Sequence, residues 1–160
     1  MPLKLSLTKG ERFVVNGAVI KNDGPDTSLV FENRAHILRQ KDIMTNDDAN
    51  SPARRVYLAL QCAYMFPHKK DEYLGLFTNF LNEFVAACPS TRPIAEEIEQ
   101  FVAEDKIYKA LKHTQKLIAH QAKVLKSLEA GVDVATKDMD QEPPSDGAEK
   151  AGADRHAEAD

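Results

Sequence analysis

The residues of this 160-residue chain with catalytic or metal-binding chemistry to offer are five histidines, two cysteines and its acidic side chains, among them the adjacent pairs Asp47-Asp48 and Glu96-Glu97. His36, His68, His113, His120 and His156 are scattered, and only His113 and His120 share a helical pattern. Seven residues apart, those two stand about 10 Å apart along a helix, too far for one zinc ion without a ligand from elsewhere. Cys62 and Cys88 each sit in an apolar helical pattern with no neighbour at metal-ligand spacing, and read as buried free thiols. Asp47-Asp48 and Glu96-Glu97 read as solvated acids near helix starts, where the helix dipole favours negative charge. There is no Gly-rich phosphate loop and no Gly-x-Ser-x-Gly elbow. These spacings give no catalytic residue, metal site or cofactor, and point to a protein that binds rather than one that catalyses.

Basic residues are the next chemistry to weigh. Lys4, Lys9, Arg12, Arg34, Arg39 and Lys41 punctuate the aliphatic N-terminal segment, with Ser6 between them, and Arg54-Arg55 follow. Singly, each is an ordinary solvated cation; together they make the electrostatic footprint expected of phosphate contact. Phe13 and Phe31 are the aromatics of that segment and read as core, so RNA contact there would rest on backbone, Arg and Lys. A second basic face comprises Lys109, Lys112, Lys116 and Lys123. The formal charge of −4 divides unevenly: residues 132–160 hold three basic and nine acidic side chains, a net −6, leaving +2 on the rest. A weakly basic body with an acidic tail is compatible with an anionic partner.

The elements that must position these residues change character along the chain. Leu3, Leu5 and Leu7 alternate with Lys4 and Ser6, as on a half-buried strand. Residues 12–15 resume a β-branched and aromatic run, and Asn16-Gly17 has the turn chemistry to fold residues 18–20 back as a hairpin. Residues 22–26 form a turn, with short strands expected over 28–31 and 35–38. Beyond Met44 the period becomes helical, with helices expected from Pro52 (capped by Ser51) to Met65, from Asp71 to about Cys88, from Pro93 (capped by Ser90 or Thr91) to Ala103, and from Asp105 to about Leu128. The last helix places Ile107, Ala110, Leu111, Leu117, Ile118, Leu125 and Leu128 on one side and its cations on the other, and Gly131 is expected to close it. The fold class is α+β: an antiparallel β-unit over 1–44, a helical segment of about four helices over 45–130, and a disordered acidic tail over 131–160. The β-unit buries too little by itself and needs the helices or a second copy as a partner surface. No apolar run is long enough to span a membrane and the N-terminus has no secretory h-region, so a cytoplasmic protein is expected.

Residues 1–20, Leu38 to Met44, Ser51 to Tyr57 and Tyr108 to Lys112 resemble, in colinear order, the FlbT family of flagellar regulators over about residues 1–128. The resemblance implies a post-transcriptional regulator of flagellin that associates with the 5′ untranslated region of its messenger RNA, controlling translation and decay alongside a second flagellar protein, FlaF. A narrower similarity links the β-unit to the carbon storage regulator family of RNA-binding β-proteins. It rests on Lys9-Gly10-Glu11 after a leucine-alternating strand and on Arg39 after the strand 35–38. It would place RNA contact on Lys4, Ser6 and Arg39, although Leu7 stands where that family has Arg and Gln40-Lys41 replaces an acidic pair.

The expected partners are therefore a flagellin mRNA leader, a FlaF-like protein and flagellin itself, with self-association through strand edges. The alternative is an adaptor or chaperone acting with FlaF and flagellin without touching RNA. Tyr57, Tyr64, Phe66, Tyr73 and Phe77 would supply its aromatic surface.

Overall fold

Alternating leucines make the first element a strand with one buried face. In the computed structural model, which describes residues 2–139 and side chains as far as residue 131, β1 (Leu3–Leu7) pairs antiparallel with β4 (Thr27–Phe31). Leu3, Leu5 and Leu7 lie across from Phe31, Leu29 and Thr27 on one face, and Lys4 and Ser6 across from Val30 and Ser28 on the other. The second sheet has the order β3-β2-β5, from β2 (Arg12–Val15), β3 (Ala18–Lys21) and β5 (Ile37–Arg39), all antiparallel. Asn16 and Gly17 take φ of 48° and 85°, the two positive values that a type I′ hairpin turn requires.

Successive residues of β2 and β5 point to opposite faces, so this sheet has two packing surfaces. Phe13 and Ile37 face the ribbon, closing a small core with Leu5 and Leu7, and the Phe13 and Phe31 rings meet edge-on at 6.4 Å. Val14 and Leu38 turn the other way and join the helical core. The β-unit thus obtains from the helices the partner surface that its size demands.

The helices are α1 (Pro52–Met65), α2 (Lys70–Ala87), α3 (Arg92–Ala103) and α4 (Ile107–Met139). Ser51 caps α1, its hydroxyl accepting from the Arg54 N–H at 3.3 Å. Short 3-10 turns at Pro67–Lys69 and Pro89–Thr91 introduce α2 and α3. Val56, Leu60, Phe77, Leu81, Ile98, Leu111 and Leu117 are almost wholly buried between the helices. Two polar clamps fix the connection from sheet to helix: Gln61 bonds both backbone groups of Met44, and the Tyr57 hydroxyl donates to the Asp42 carbonyl at 2.6 Å.

Several expectations need correcting. Thr91 stands at the N-cap position of α3 but makes no capping bond there: its hydroxyl donates back to the Cys88 carbonyl at 2.6 Å, and the Ser90 hydroxyl meets the His120 ring. Asp105 does not open α4 but adopts a left-handed φ of 58°, which Asp tolerates better than most residues, and reverses the chain between α3 and α4. Cys62 and Cys88 are free but only half-buried. Gly131 does not close α4, which continues to Met139; an interior Gly costs only about 1 kcal/mol and no Pro occurs before Pro143. One unit ends at Val124 and a second begins at Leu125, where Leu125 and Leu128 are exposed rather than core. Helical period assigns a residue to a face, but not a neighbour to cover it. The tail beyond residue 139 lies outside the described residues.

Candidate nucleic-acid interface

The basic residues of the β-unit divide by what surrounds them. Lys4 and Ser6 stand on the ribbon face turned away from Leu5 and Leu7, and the Ser6 hydroxyl is 3.4 Å from that of Ser28. Arg39 is tied down: its Nη2 donates to the Ser6 carbonyl at 2.9 Å and to Glu11 Oε1 at 2.8 Å, joining the two sheets. The Glu11 carboxyl is held below the ordinary carboxylate range by that Arg39 bond first and by the Thr8 N–H second. The hollow beside them also admits Asp26, so an entering phosphate would meet two carboxylates for one guanidinium. The arrangement suits a structural role for Arg39 better than a phosphate seat.

Arg12 accompanies Lys41 at one end of the second sheet, because the Arg12 N–H donates to the Gln40 side chain at 3.0 Å. Lys9 lies in the β1–β2 turn, where its N–H donates to Asp26 at 2.9 Å. Arg54 is half-buried and donates to the Asp48 carbonyl at 3.3 Å, whereas Arg55 is exposed on α1. The side chains of Lys4, Lys9, Arg12, Lys41 and Arg55 are exposed and enter no hydrogen bond or ion pair among the described residues. They are spread over β1, the β1–β2 turn, β2, the turn after β5 and α1, and none of them lines the hollow beside Arg39 or the two hollows beside Tyr108.

The cationic face of α4 is partly committed to the fold. Lys112 reaches the buried Asp42 carboxylate at 2.7 Å. Burial by itself would lower the Lys112 pKa, but the hydrogen bond and charge of Asp42 overcome it and leave the ammonium held above its ordinary value. His113 hydrogen-bonds Glu97, and Lys116 Nζ lies 3.4 Å from the same histidine nitrogen. Lys109 and Lys123 are exposed.

Arg34 and Lys109 are sequence-predicted cations that the fold brings to one hollow with aromatic walls. A hollow of about 610 Å³ opens where the β4–β5 connection meets the start of α4. Arg34, Lys70, Lys106 and Lys109 surround it with one lining carboxylate, Asp105, which pairs with Lys70, while Lys106 pairs with Glu104 at 2.6 Å. His36, Tyr64 and Tyr108 supply aromatic walls: His36 and Tyr64 are 4.8 Å apart at 36°, Tyr64 and Tyr108 5.7 Å apart at 45°. Tyr64 is fixed, its hydroxyl accepting from the Ile37 N–H at 3.1 Å and donating to the Ile37 carbonyl at 3.4 Å. A second hollow of about 290 Å³ lies on the other side of Tyr108 and Lys109, which line both; Phe101, Lys112, His113 and Lys116 complete it.

Sequence reasoning missed His36, Lys70, Phe101, Lys106 and Tyr108 as site residues, and assigned Tyr64 to a protein-docking surface. The available signal was Lys106-Ile107-Tyr108-Lys109, cations and an aromatic around one core residue at a helix start. The aromatics expected to form a docking surface are otherwise engaged: Tyr57 and Phe77 are core, and Phe66 and Tyr73 are half-buried against each other at 6.1 Å.

Comparison with known proteins supplies the context. The family model described as "Flagellar protein FlbT" matches residues 3–125. The chain belongs to the FlbT family. The "Flagellum biosynthesis repressor protein FlbT" of Caulobacter vibrioides is 37% identical over 134 residues, which is 82% of this chain and 95% of that protein. The "Probable flagellum biosynthesis repressor protein FlbT 1" of Bradyrhizobium diazoefficiens is 37% identical over 141 residues, 88% of this chain and 96% of the relative. A Rhodopseudomonas palustris FlbT is 36% identical over 128 residues, 78% of this chain and 98% of its own. No solved structure matches. The FlbT match takes in both sheets, α1 to α3 and both hollows beside Tyr108, and it stops short of the acidic tail.

Proposed function

We propose that this FlbT-family chain is a non-enzymatic, cytoplasmic regulator of flagellum synthesis. It associates with the 5′ untranslated region of flagellin messenger RNA and represses its translation or shortens its life. The observation that carries the regulatory part is the match over most of the chain to relatives named as flagellum biosynthesis repressors. Supporting the RNA part are exposed cations with no acidic partner among the described residues: Lys4, Lys9, Arg12, Lys41 and Arg55. No helix among the described residues is long and apolar enough to cross a membrane.

A gel-shift series with the purified full chain on its own flagellin leader tests the reading. Affinity should fall with added salt, with a log–log slope of about −0.7 for each phosphate contact on single-stranded RNA. Equal affinity for the leader and an unrelated RNA of equal length, at every salt concentration, would refute leader recognition.

A second reading, an adaptor for a FlaF-like protein or for flagellin, is favoured by exposed apolar residues on the β-unit. Leu3, Val19, Leu29 and Val30 all remain well exposed. A complex that copurifies after exhaustive nuclease treatment, combined with no leader binding, would select it.

A further inference from the structure

We propose that the two hollows flanking Tyr108 and Lys109 form a track for two successive nucleotides of a single-stranded segment. Bases would stack on the aromatic walls and phosphates would meet Lys109 and its neighbouring cations. The proposal deepens the RNA reading above and takes its biological object from it.

The site differs in kind from the scattered cations elsewhere on the surface. Single strands are held by aromatic platforms set in a positively charged groove, because every base has a π face and every linkage a charge. Both components converge here. In the larger hollow four cations, Arg34, Lys70, Lys106 and Lys109, line the wall; Asp105 pairs with Lys70 and Glu104 with Lys106, which leaves Arg34 and Lys109 without a salt bridge among the described residues. Its volume of about 610 Å³ is within the usual range for small-ligand pockets, roughly 300–1,000 Å³. The smaller hollow has no carboxylate among its lining residues, although Glu97 and Asp42 already engage its His113 and Lys112.

Preorganisation favours the same site. Tyr64 is held through its hydroxyl to both polar groups of Ile37, so its ring is fixed before any ligand arrives. Tyr108 is 41% exposed on the first turn of α4, while Ile107, Ala110 and Leu111 anchor the opposite side of that helix in the core. The Lys112 ammonium, held by Asp42, lies over the Tyr108 ring 5.6 Å from its centre, so a base stacking on that face would displace it. The hollow beside Arg39 lacks both features, having no aromatic wall and more carboxylate than guanidinium.

The test measures binding of the full chain to fluorescein-labelled flagellin leader and, separately, to nucleoside monophosphates followed by tyrosine fluorescence. Tyr108→Leu should weaken leader binding by on the order of tenfold or more, and Tyr108→Phe should retain it, since stacking needs the ring and not the hydroxyl. Lys109→Glu and Arg34→Ala should each weaken binding and flatten the salt slope by about 0.7. Thermal melts matching the wild type would establish that the variants fold. Leader binding unchanged in Tyr108→Leu and Lys109→Glu would overturn the track while leaving the RNA reading intact. Mononucleotide binding that Tyr108→Leu abolishes, without leader binding, would keep the nucleotide site and remove the RNA reading. Binding of neither would end both. Intact RNA binding in Tyr108→Leu, with loss of a nuclease-resistant protein complex, would reassign the hollows to a protein partner.

Discussion

Lys112 and Asp42 are the pair on which the helical face and the β-unit meet at the level of single side chains. Asp42 is 6% exposed and its carboxylate accepts from Lys112 at 2.7 Å, so removing the cation strands a buried charge. Lys112→Met should cost about 2 kcal/mol in urea unfolding, and the double variant with Asp42→Asn should cost less than the sum of the single ones. Glu11 gives a pH-dependent prediction. Its folded pKa is depressed below the ordinary 4.5, so its contribution to stability is present above that value and lost as pH falls through the folded one. The melting-temperature advantage of wild type over Glu11→Gln should therefore be largest near about pH 6 and shrink toward about pH 3. An advantage that grows on acidification would contradict the Arg39–Glu11 bond as its source. At this scale the sequence names the cations but not their partners. Lys112 and Asp42 are 70 residues apart, and no local spacing foretells such a pair.

At the scale of elements, turns and caps were legible because their chemistry is local. Asn16-Gly17 imposes positive φ wherever it occurs between strands, and Ser51-Pro52 signals a helix start by its own side chain and ring. Two glycines separate local strain from tertiary fit. Gly10 and Gly17 have φ of 81° and 85°, but a Cβ at Gly10 would meet nothing within 4 Å, whereas one at Gly17 would lie 3.0 Å from the Phe66 ring. Gly10→Ala should cost about 1 kcal/mol from backbone strain alone, and Gly17→Ala distinctly more, as read by chemical denaturation. Equal losses would mean that Phe66 yields freely. Ser51→Ala should cost about 1 kcal/mol through the lost α1 cap. The caps of α3 and α4 were misjudged because Thr91 and Asp105 have competing partners: the Cys88 carbonyl, three residues back in the chain, and the Lys70 ammonium, which the fold brings from the start of α2.

Charge is a property of the whole molecule. Residues 132–160 carry a net −6 and the rest of the chain +2, so the acidic segment opposes any polyanion approaching the body. Replacing the acidic residues of 140–160 by their amides should strengthen leader binding at low salt, with the difference closing as salt screens it. Titration of both chains across a salt series would check this. An effect that persists undiminished at high salt would point to a contact rather than a field.

By itself the sequence determined which segments are strands and which are helices, where the hairpin turns, and that the charge is divided. Each of these follows from residues within a few positions of one another. The family resemblance was equally legible, since it depends on order along the chain. Only the tertiary structure decided which cations are free and which are spent. It placed Arg39 against Glu11, Lys112 against Asp42, and Arg34 beside Tyr64 and Tyr108. Helical and strand periods assign a residue to a face. Whether that face meets a carboxylate, an aromatic wall or open solvent depends on elements far away in the chain, and so the candidate site moved from the basic strands to the start of α4.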